Sequence, residues 1–417
     1  MMKLNNVFLK LNLPNVLLLT FIVSLIIMII VGCEQNPKTQ NDGKTNESNI
    51  TEISQMHDDA PANLENEPAE LFAYEYDYEN EGIRITSYSG TKIRVKIPDT
   101  IESIPVVSIG IKCFTVGEVV EIYCPETLRV FEWGGMKSEK FTEINKITIP
   151  YGVTKIAAET FKDCGSLKEV KIPSTVREIG MNAFRNCGSL KNVTLPDSVT
   201  KINDKAFIWC RALETIMIPY SITEIGSYAL VGCSSLMNIS VDDGNTVYAD
   251  IDGVLSDKSK TTLIQFPGGR EGAYSIPNGV TKIGTEAFAY CNMLTNVTVP
   301  NSVTKINDRA FIDCSSLTGI NVDQGNAVYS DIDGVLFTKD ETILMQFPQG
   351  NEMDTYEIPS TVREIGANAF RNCGSLTDVT LPDSVTKIND NAFVGCSSLS
   401  GGTKKRILQI NPNASFK

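Results

Sequence analysis

The sequence predicts a stacked-repeat solenoid, mostly β, over residues 72–399. Three observations carry this reading. Prolines recur 23 residues apart at Pro150, Pro173, Pro196 and Pro219, then at Pro277 and Pro300, then at Pro359 and Pro382. The same apolar frame surrounds each of them. Eight of the 11 cysteines keep the same step: Cys164, Cys187, Cys210 and Cys233, then Cys291 and Cys314, then Cys373 and Cys396. Self-similarity at a fixed period of roughly 20–50 residues marks a repeat array. It replaces the two or three globular domains that a length of 417 residues would otherwise imply.

The frame is clearest in Leu190, Val193, Leu195, Pro196, Val199, Ile202, Ala206, Phe207, Cys210 and the next Leu213. Leu190, Val193 and Leu195 place alternate side chains on one face, so each coil carries one short strand. Proline ends the strand, where a missing N–H costs least. Val199 and Ile202 begin the return path. The next position is Gly180, Gly226, Gly284 or Gly366 in some units and Asn203, Asn307 or Asn389 in others, with Ala157 the exception. Gly and Asn tolerate φ > 0, so a left-handed backbone is expected there. Ala206, Phe207 and Cys210 follow at helical spacing, which predicts a short helical turn on the convex side. One unit buries too few side chains to offset about 1–2 kcal/mol of backbone entropy per ordered residue, so stability must come from neighbours that cover both flat faces.

These residues resemble the BspA-like leucine-rich repeats of bacterial surface proteins. The frame Ile-Pro-x-x-Val-x-x-Ile-Gly-x-x-Ala-Phe-x-x-Cys-x-x-Leu recurs with few changes. The segment 82–90, Val95 to Pro98, and Ile109, Gly110, Cys113 and Phe114 look like that family's first coil. Residues 120–146, which include Trp133, depart from the pattern. The resemblance implies a leucine-rich-repeat solenoid that binds host extracellular-matrix or plasma proteins, or other bacteria.

Two inserts, residues 240–276 and 322–358, lengthen the period to 58 and 59 residues. Each contains Asp-Ile-Asp-Gly, at Asp250 to Gly253 and Asp331 to Gly334. Asp-Gly between apolar residues signals a hairpin, so each insert reads as a small β-meander extending from the solenoid. The paired aspartates lack the spacing and terminal Glu of a calcium loop, which favours turn chemistry over metal. Residues 360–393 nearly copy 174–207. Residues 400–417 break the frame and read as a tail or an imperfect cap.

Eleven cysteines in an exported chain would ordinarily form disulfides. One-coil spacing argues for a reduced core ladder instead, because stacked residues have parallel Cα–Cβ vectors. There is no Cys-x₂-Cys pair and no histidine nearby, so zinc is not expected.

Residues 1–33 carry Lys3 and Lys10 and no acid, followed by an apolar run from Val16 to Val31. Ile30-Val31-Gly32-Cys33 resembles the bacterial lipobox, which makes Cys33 the expected lipidation site of a lipoprotein signal peptide. An uncleaved membrane anchor is the alternative. Residues 34–71 form an acidic, polar tether that holds His57, the single histidine. Residues 34–82 carry thirteen acids against two lysines, so most of the net charge of −13 sits there. The repeats are nearly balanced and offer no basic face for nucleic acid.

The lone tether histidine removes Ser-His-Asp, Cys-His and His-metal arrangements. No phosphate loop appears, and no cofactor or catalytic residue is expected. The recurrent carboxylates Asp197, Asp204 and Asp308 sit at solvent-facing frame positions. The leading expectation is a cell-surface binding or adhesion lipoprotein, extracytoplasmic and held to the membrane by its lipid anchor. The alternatives are an envelope scaffold without a host ligand, or a polysaccharide binder. The outward strand positions are Lys171, Thr194, Met217, Ser240, Thr298, Asn321 and Thr380. These are the candidate protein-ligand contacts on a continuous strand-lined face.

Overall fold

The computed structural model describes residues 64–109, 121–131 and 144–417. The lipobox Cys33, the tether with His57, Cys113, Phe114 and Trp133 lie outside the described residues. The fold is the expected leucine-rich-repeat β-solenoid. Each coil, however, carries two short strands rather than one. The first is the frame strand, such as Glu169–Lys171 or Thr215–Ile218. The second is a two-residue strand such as Glu178–Ile179 or Lys201–Ile202. Both stack in parallel with the neighbouring coil, in register 23 residues on (Glu178↔Lys201, Thr215↔Asn238). The second strand was hidden because two residues show no alternation.

The expected helical turn on the convex side is a chain of β-turns. In one coil, Ala206 N–H donates to Asn203 O, Ile208 to Lys205 O and Cys210 to Phe207 O. The intervening amides bond the next coil instead: Lys205 to Ser227 O, Phe207 to Ala229 O and Trp209 to Val231 O, at 2.9–3.0 Å. An α-helix would direct all these amides inward along one coil. Here every second one is used for stacking.

The left-handed residues are not the Gly/Asn position either. They lie two and six residues later, for example Asn182 (φ 56°) and Asn186 (φ 58°), or Lys205 (58°) and Trp209 (65°). The glycines answer a different demand. A Cβ at Gly180 would stand 2.5 Å from the Ala157 carbonyl carbon, and one at Gly226 would stand 2.3 Å from the Asp204 nitrogen. Asn203 uses its side chain to stitch coils, donating to Ile179 O at 2.9 Å and to a Glu178 carboxylate oxygen at 2.7 Å.

Inside each coil the core repeats as well. Phe184 and Phe207 stack with ring centroids 5.1 Å apart and planes 1° from parallel. The described cysteines are free thiols. Cys187, Cys210 and Cys233 each donate to a phenylalanine carbonyl of the preceding coil at 3.0–3.3 Å. Burial pushes the Cys164 and Cys314 thiols up to about 12, which keeps them protonated and unreactive.

Each insert is the expected meander, and its turn has the predicted chemistry. Asp252 (φ 50°) and Gly253 (77°) are both left-handed, as are Asp333 (50°) and Gly334 (76°). The meander merges into the array instead of extending from it. Its third strand, Thr262–Gln265, pairs antiparallel with Val254–Asp257 and parallel with Lys282–Ile283. Both stacked sheets end at each insert, and the main core divides there into three clusters, while a small fourth cluster of Ile208, Val231, Ala289 and Ile312 spans the first joint.

The two ends are covered. Phe72–Asp77 pairs antiparallel with Gly82–Tyr88, and the Tyr88 hydroxyl donates to Glu67 at 2.8 Å. Residues 400–417, expected as a tail or imperfect cap, contain a helix, Gly401–Ile410. Ser400 caps it by accepting from Thr403 N, and Ile407 is fully buried. Beyond it Asn411 donates to Ile388 O at 2.9 Å, repeating the Asn stitch one coil further on. No helix among the described residues is long and apolar enough to cross a membrane.

Candidate ligand-binding faces

The frame strands present two outward rows. In one, Arg94, Glu121, Lys146 and Glu169 stand in register. Their opposite charges pair, Arg94 with Glu121 at 3.1 Å and Lys146 with Glu169 at 3.8 Å. In the other, Lys96, Tyr123, Thr148 and Lys171 are in register. Exposed pairs of this kind stabilise little, about 0–1 kcal/mol each. Their effect is to neutralise the row and hold its register.

The structure does not bring the seven candidate residues into one row. Lys171 ends the first strand block, and Thr194 lies just past the short strand Asn192–Val193. Met217 and Ser240 face each other across paired strands, with the serine hydroxyl 3.5 Å from the methionine sulfur. Thr298 faces Asn321 in a separate sheet, and Thr380 faces Glu357 in another. The expected continuous face is therefore cut at both inserts. After Asn238–Val241 the next strand is replaced by the hairpin tip: Ile239 N–H donates to Gly253 O at 3.0 Å and Val241 N–H to Asp250 at 3.0 Å. At the second insert Ile320 donates to Gly334 O at 2.8 Å and Val322 to Asp331 at 2.7 Å. The first aspartate of each pair, Asp250 and Asp331, thus accepts backbone amides. Among the described residues no cluster of His, Cys, Asp or Glu could hold a metal.

The most apolar outward position is Met217, 53% exposed. Thr194, Asn321 and Thr380 are exposed, while Lys171, Ser240 and Thr298 are half-buried. Sequence reasoning missed a second feature, on the turn side at the first insert. There a cleft of about 300 Å³ opens between Tyr228 and Leu230 on one coil and Glu286 on the next, over a floor of Leu255, Ile264 and Gln265. A signal was available in the repeat: Leu230 stands where the other full coils have phenylalanine.

The BspA type leucine rich repeat region matches in six copies, over residues 135–250, 272–400 and 341–417. The chain belongs to this family. Repeat spacing, paired short strands and a buried Phe/Cys ladder are how this member of the family builds its array. A crystal structure of a leucine rich cell surface protein from Faecalibacterium prausnitzii A2-165 superimposes with a TM-score of 0.56. It is 26% identical and covers 92% of this chain and 100% of its own. The pneumococcal vaccine antigen PcpA shares the fold, with a TM-score of 0.51 and 18% identity over 82% of this chain and 94% of its own. The comparison with curated proteins finds no match.

Proposed function

We propose that this chain is a non-enzymatic cell-surface lipoprotein that binds a protein ligand through the outward strand rows. One observation carries the reading: within each sheet successive coils hold polar and charged side chains in register at the repeat period, while the core beneath is closed. Such solenoid faces are commonly binding surfaces. The similar solved protein described as a cell surface protein supports an extracytoplasmic position. The ligand class is a host matrix or plasma protein, or another bacterial surface protein. Met217 with its neighbour Ser240 is the favoured contact, because an exposed apolar side chain inside a polar rim matches the anatomy of a binding hot spot.

The test is a pull-down from host matrix, plasma and bacterial surface extracts with the chain and with Lys146→Glu, Lys171→Glu and Met217→Ala variants. Loss of one captured protein in the variants is the expected result; capture that ignores all three sinks the strand-face reading. Shielding of the array from protease on intact cells would favour the envelope scaffold instead. For the anchor, Cys33→Ala is expected to release the protein from the membrane fraction, since acyl chains contribute about 0.8 kcal/mol per buried CH₂. Fractionation and immunoblotting read it.

A further inference from the structure

The turn-side core is a column of phenylalanines. Phe161, Phe184 and Phe207 stack 5.1 Å apart, and the column resumes with Phe266 inside the first insert and continues to Phe288 and Phe311, also at 5.1 Å. Between these runs stands Leu230. The cleft opens where the repeat's own ring is absent, with Leu230, Leu255 and Ile264 as an apolar wall. Its polar side holds Tyr228, Gln265 and Glu286. Glu286 is 3% exposed. Its Oε1 lies 3.0 Å from the Arg309 Nε but makes no aligned hydrogen bond. Burial pushes the Glu286 carboxyl up even though Arg309, Tyr228 and Lys205 oppose it. Arg309 itself is 45% exposed, so a second cation can share or replace this contact. The Gln265 amide donates to the Phe266 carbonyl at 3.1 Å, which leaves its own oxygen as an acceptor.

At the second insert the same positions read differently. Phe311 stands where Leu230 does, Arg309 where Tyr228 does, and Asn368 where Glu286 does. That joint has the ring and, with Asn368 in place of Glu286, lacks a carboxylate at that position. The pairing of missing volume with buried negative charge belongs to the first joint.

We propose that the cleft at the first insert is a socket for a basic side chain, arginine or lysine, carried by a protein partner. The aliphatic stem lies along Leu230, Leu255 and Ile264, and the cationic head meets the Glu286 carboxylate and the Gln265 carbonyl. A long basic side chain has this shape, an apolar stem ending in a charge. A desolvated carboxylate gains more from a cation than an exposed one does. The proposal rests on the protein-binding reading and adds a second contact on the turn side.

The test titrates the full chain, carrying Trp133→Phe, with the peptide acetyl-Gly-Arg-Gly-amide. Fluorescence of Trp209 reports binding, because that ring packs edge-on against Tyr290 across the same joint, centroids 4.8 Å apart. The controls are the norleucine analogue of the peptide and free arginine. The arginine peptide is expected to bind at least about tenfold more tightly than the norleucine peptide, as removal of a charge-assisted contact requires. Leu230→Phe, which restores the repeat's own ring, and Glu286→Gln are each expected to lower that affinity by about tenfold or more while the thermal midpoint of Leu230→Phe stays close to the parent's. Equal binding of the norleucine peptide, or unchanged binding to Leu230→Phe, overturns the socket. Binding of free arginine as tight as the peptide overturns the assignment to a protein partner. Lys171→Glu should bind the peptide normally; capture lost in that variant but kept in the cleft variants removes this proposal and leaves the strand-face reading standing.

Discussion

At the first insert Asn245 is fully buried, donates to Pro219 O and Ile222 O at 2.8 and 2.9 Å, and accepts from Val247 and Tyr248 N–H. Asn326 does the same at the second, with Pro300 O, Val303 O, Val328 and Tyr329. Tyr248 and Tyr329 then accept the amides of Ile225 and Ile306, at 2.9 and 2.8 Å, where a stacked strand would have done so. On the strand side the two joints are built alike. They differ on the turn side. The first is bridged by the Trp209–Tyr290 ring contact and by Glu286 beside Tyr228. The second is bridged by Asp313, which accepts from Asn372 at 2.6 Å and pairs with Arg371 at 3.4 Å. Termination of a parallel sheet leaves little freedom, because every orphaned amide and carbonyl needs a partner. The space above the core is not so constrained, and there the two copies have diverged.

The largest expected effect tests the likeness. Asn245→Ala and Asn326→Ala each orphan buried carbonyls and amides, so each should lower stability by about 3 kcal/mol in urea denaturation. A large loss at one joint and none at the other would break the equivalence. The next tests the difference. Phe311→Leu gives the second joint the first joint's missing volume and should cost about 1–2 kcal/mol. Leu230→Phe fills the first and should stay within about 1 kcal/mol of the parent. Unfolding midpoints of the two variants compare them directly, and equal losses would show that Leu230 leaves no space.

The smallest effect is in pH. Burial alone would raise Asp257, but hydrogen bonds from Thr262, Ser259 and Thr261 outweigh it and hold the carboxyl below its ordinary 3.8. In the second insert Thr338 takes the position of Asp257, and hydrogen bonds from Thr338 and Thr342 lower Asp340, two residues on. A lowered carboxyl contributes stability above 3.8 that is lost as pH falls through its folded value. Glu286 has the opposite sign: raised from 4.5 by burial, it contributes stability below 4.5 that is lost as pH rises through its elevated value. Asp257→Asn and Asp340→Asn should flatten the acid limb of the urea midpoint. Glu286→Gln should flatten only the limb above pH 4.5. A single limb that responds to all three would contradict the opposite signs.

Much of this was legible in the repeat. Val193, Leu195, Val199, Ile202, Phe207 and Cys210 were readable as core, and all are buried. The Asp-Gly turns were readable because only a few residues accept two successive positive φ angles. The candidate rows were legible as alternation, but not their interruption: nothing in Ser240 or Thr298 announces that a hairpin tip stands between them. The cleft was visible only as a leucine in place of a phenylalanine, and that substitution acquires meaning only when the coil on either side is known.

The sequence by itself determined the period, the inward and outward alternation, and the chemistry of the ladder, since these follow from side-chain spacing along one coil. The tertiary structure alone decided where the backbone turns left-handed, why glycine is needed at Gly180 and Gly226, where the sheets stop, and that a helix covers the last coil. Those outcomes depend on atoms brought together by folding, one coil away at the two glycines and across the hairpin tips where the sheets stop. The Gly180 Cβ position is closed by Ala157, and every second turn-side amide is satisfied by the next coil, contacts that no local pattern in the chain records.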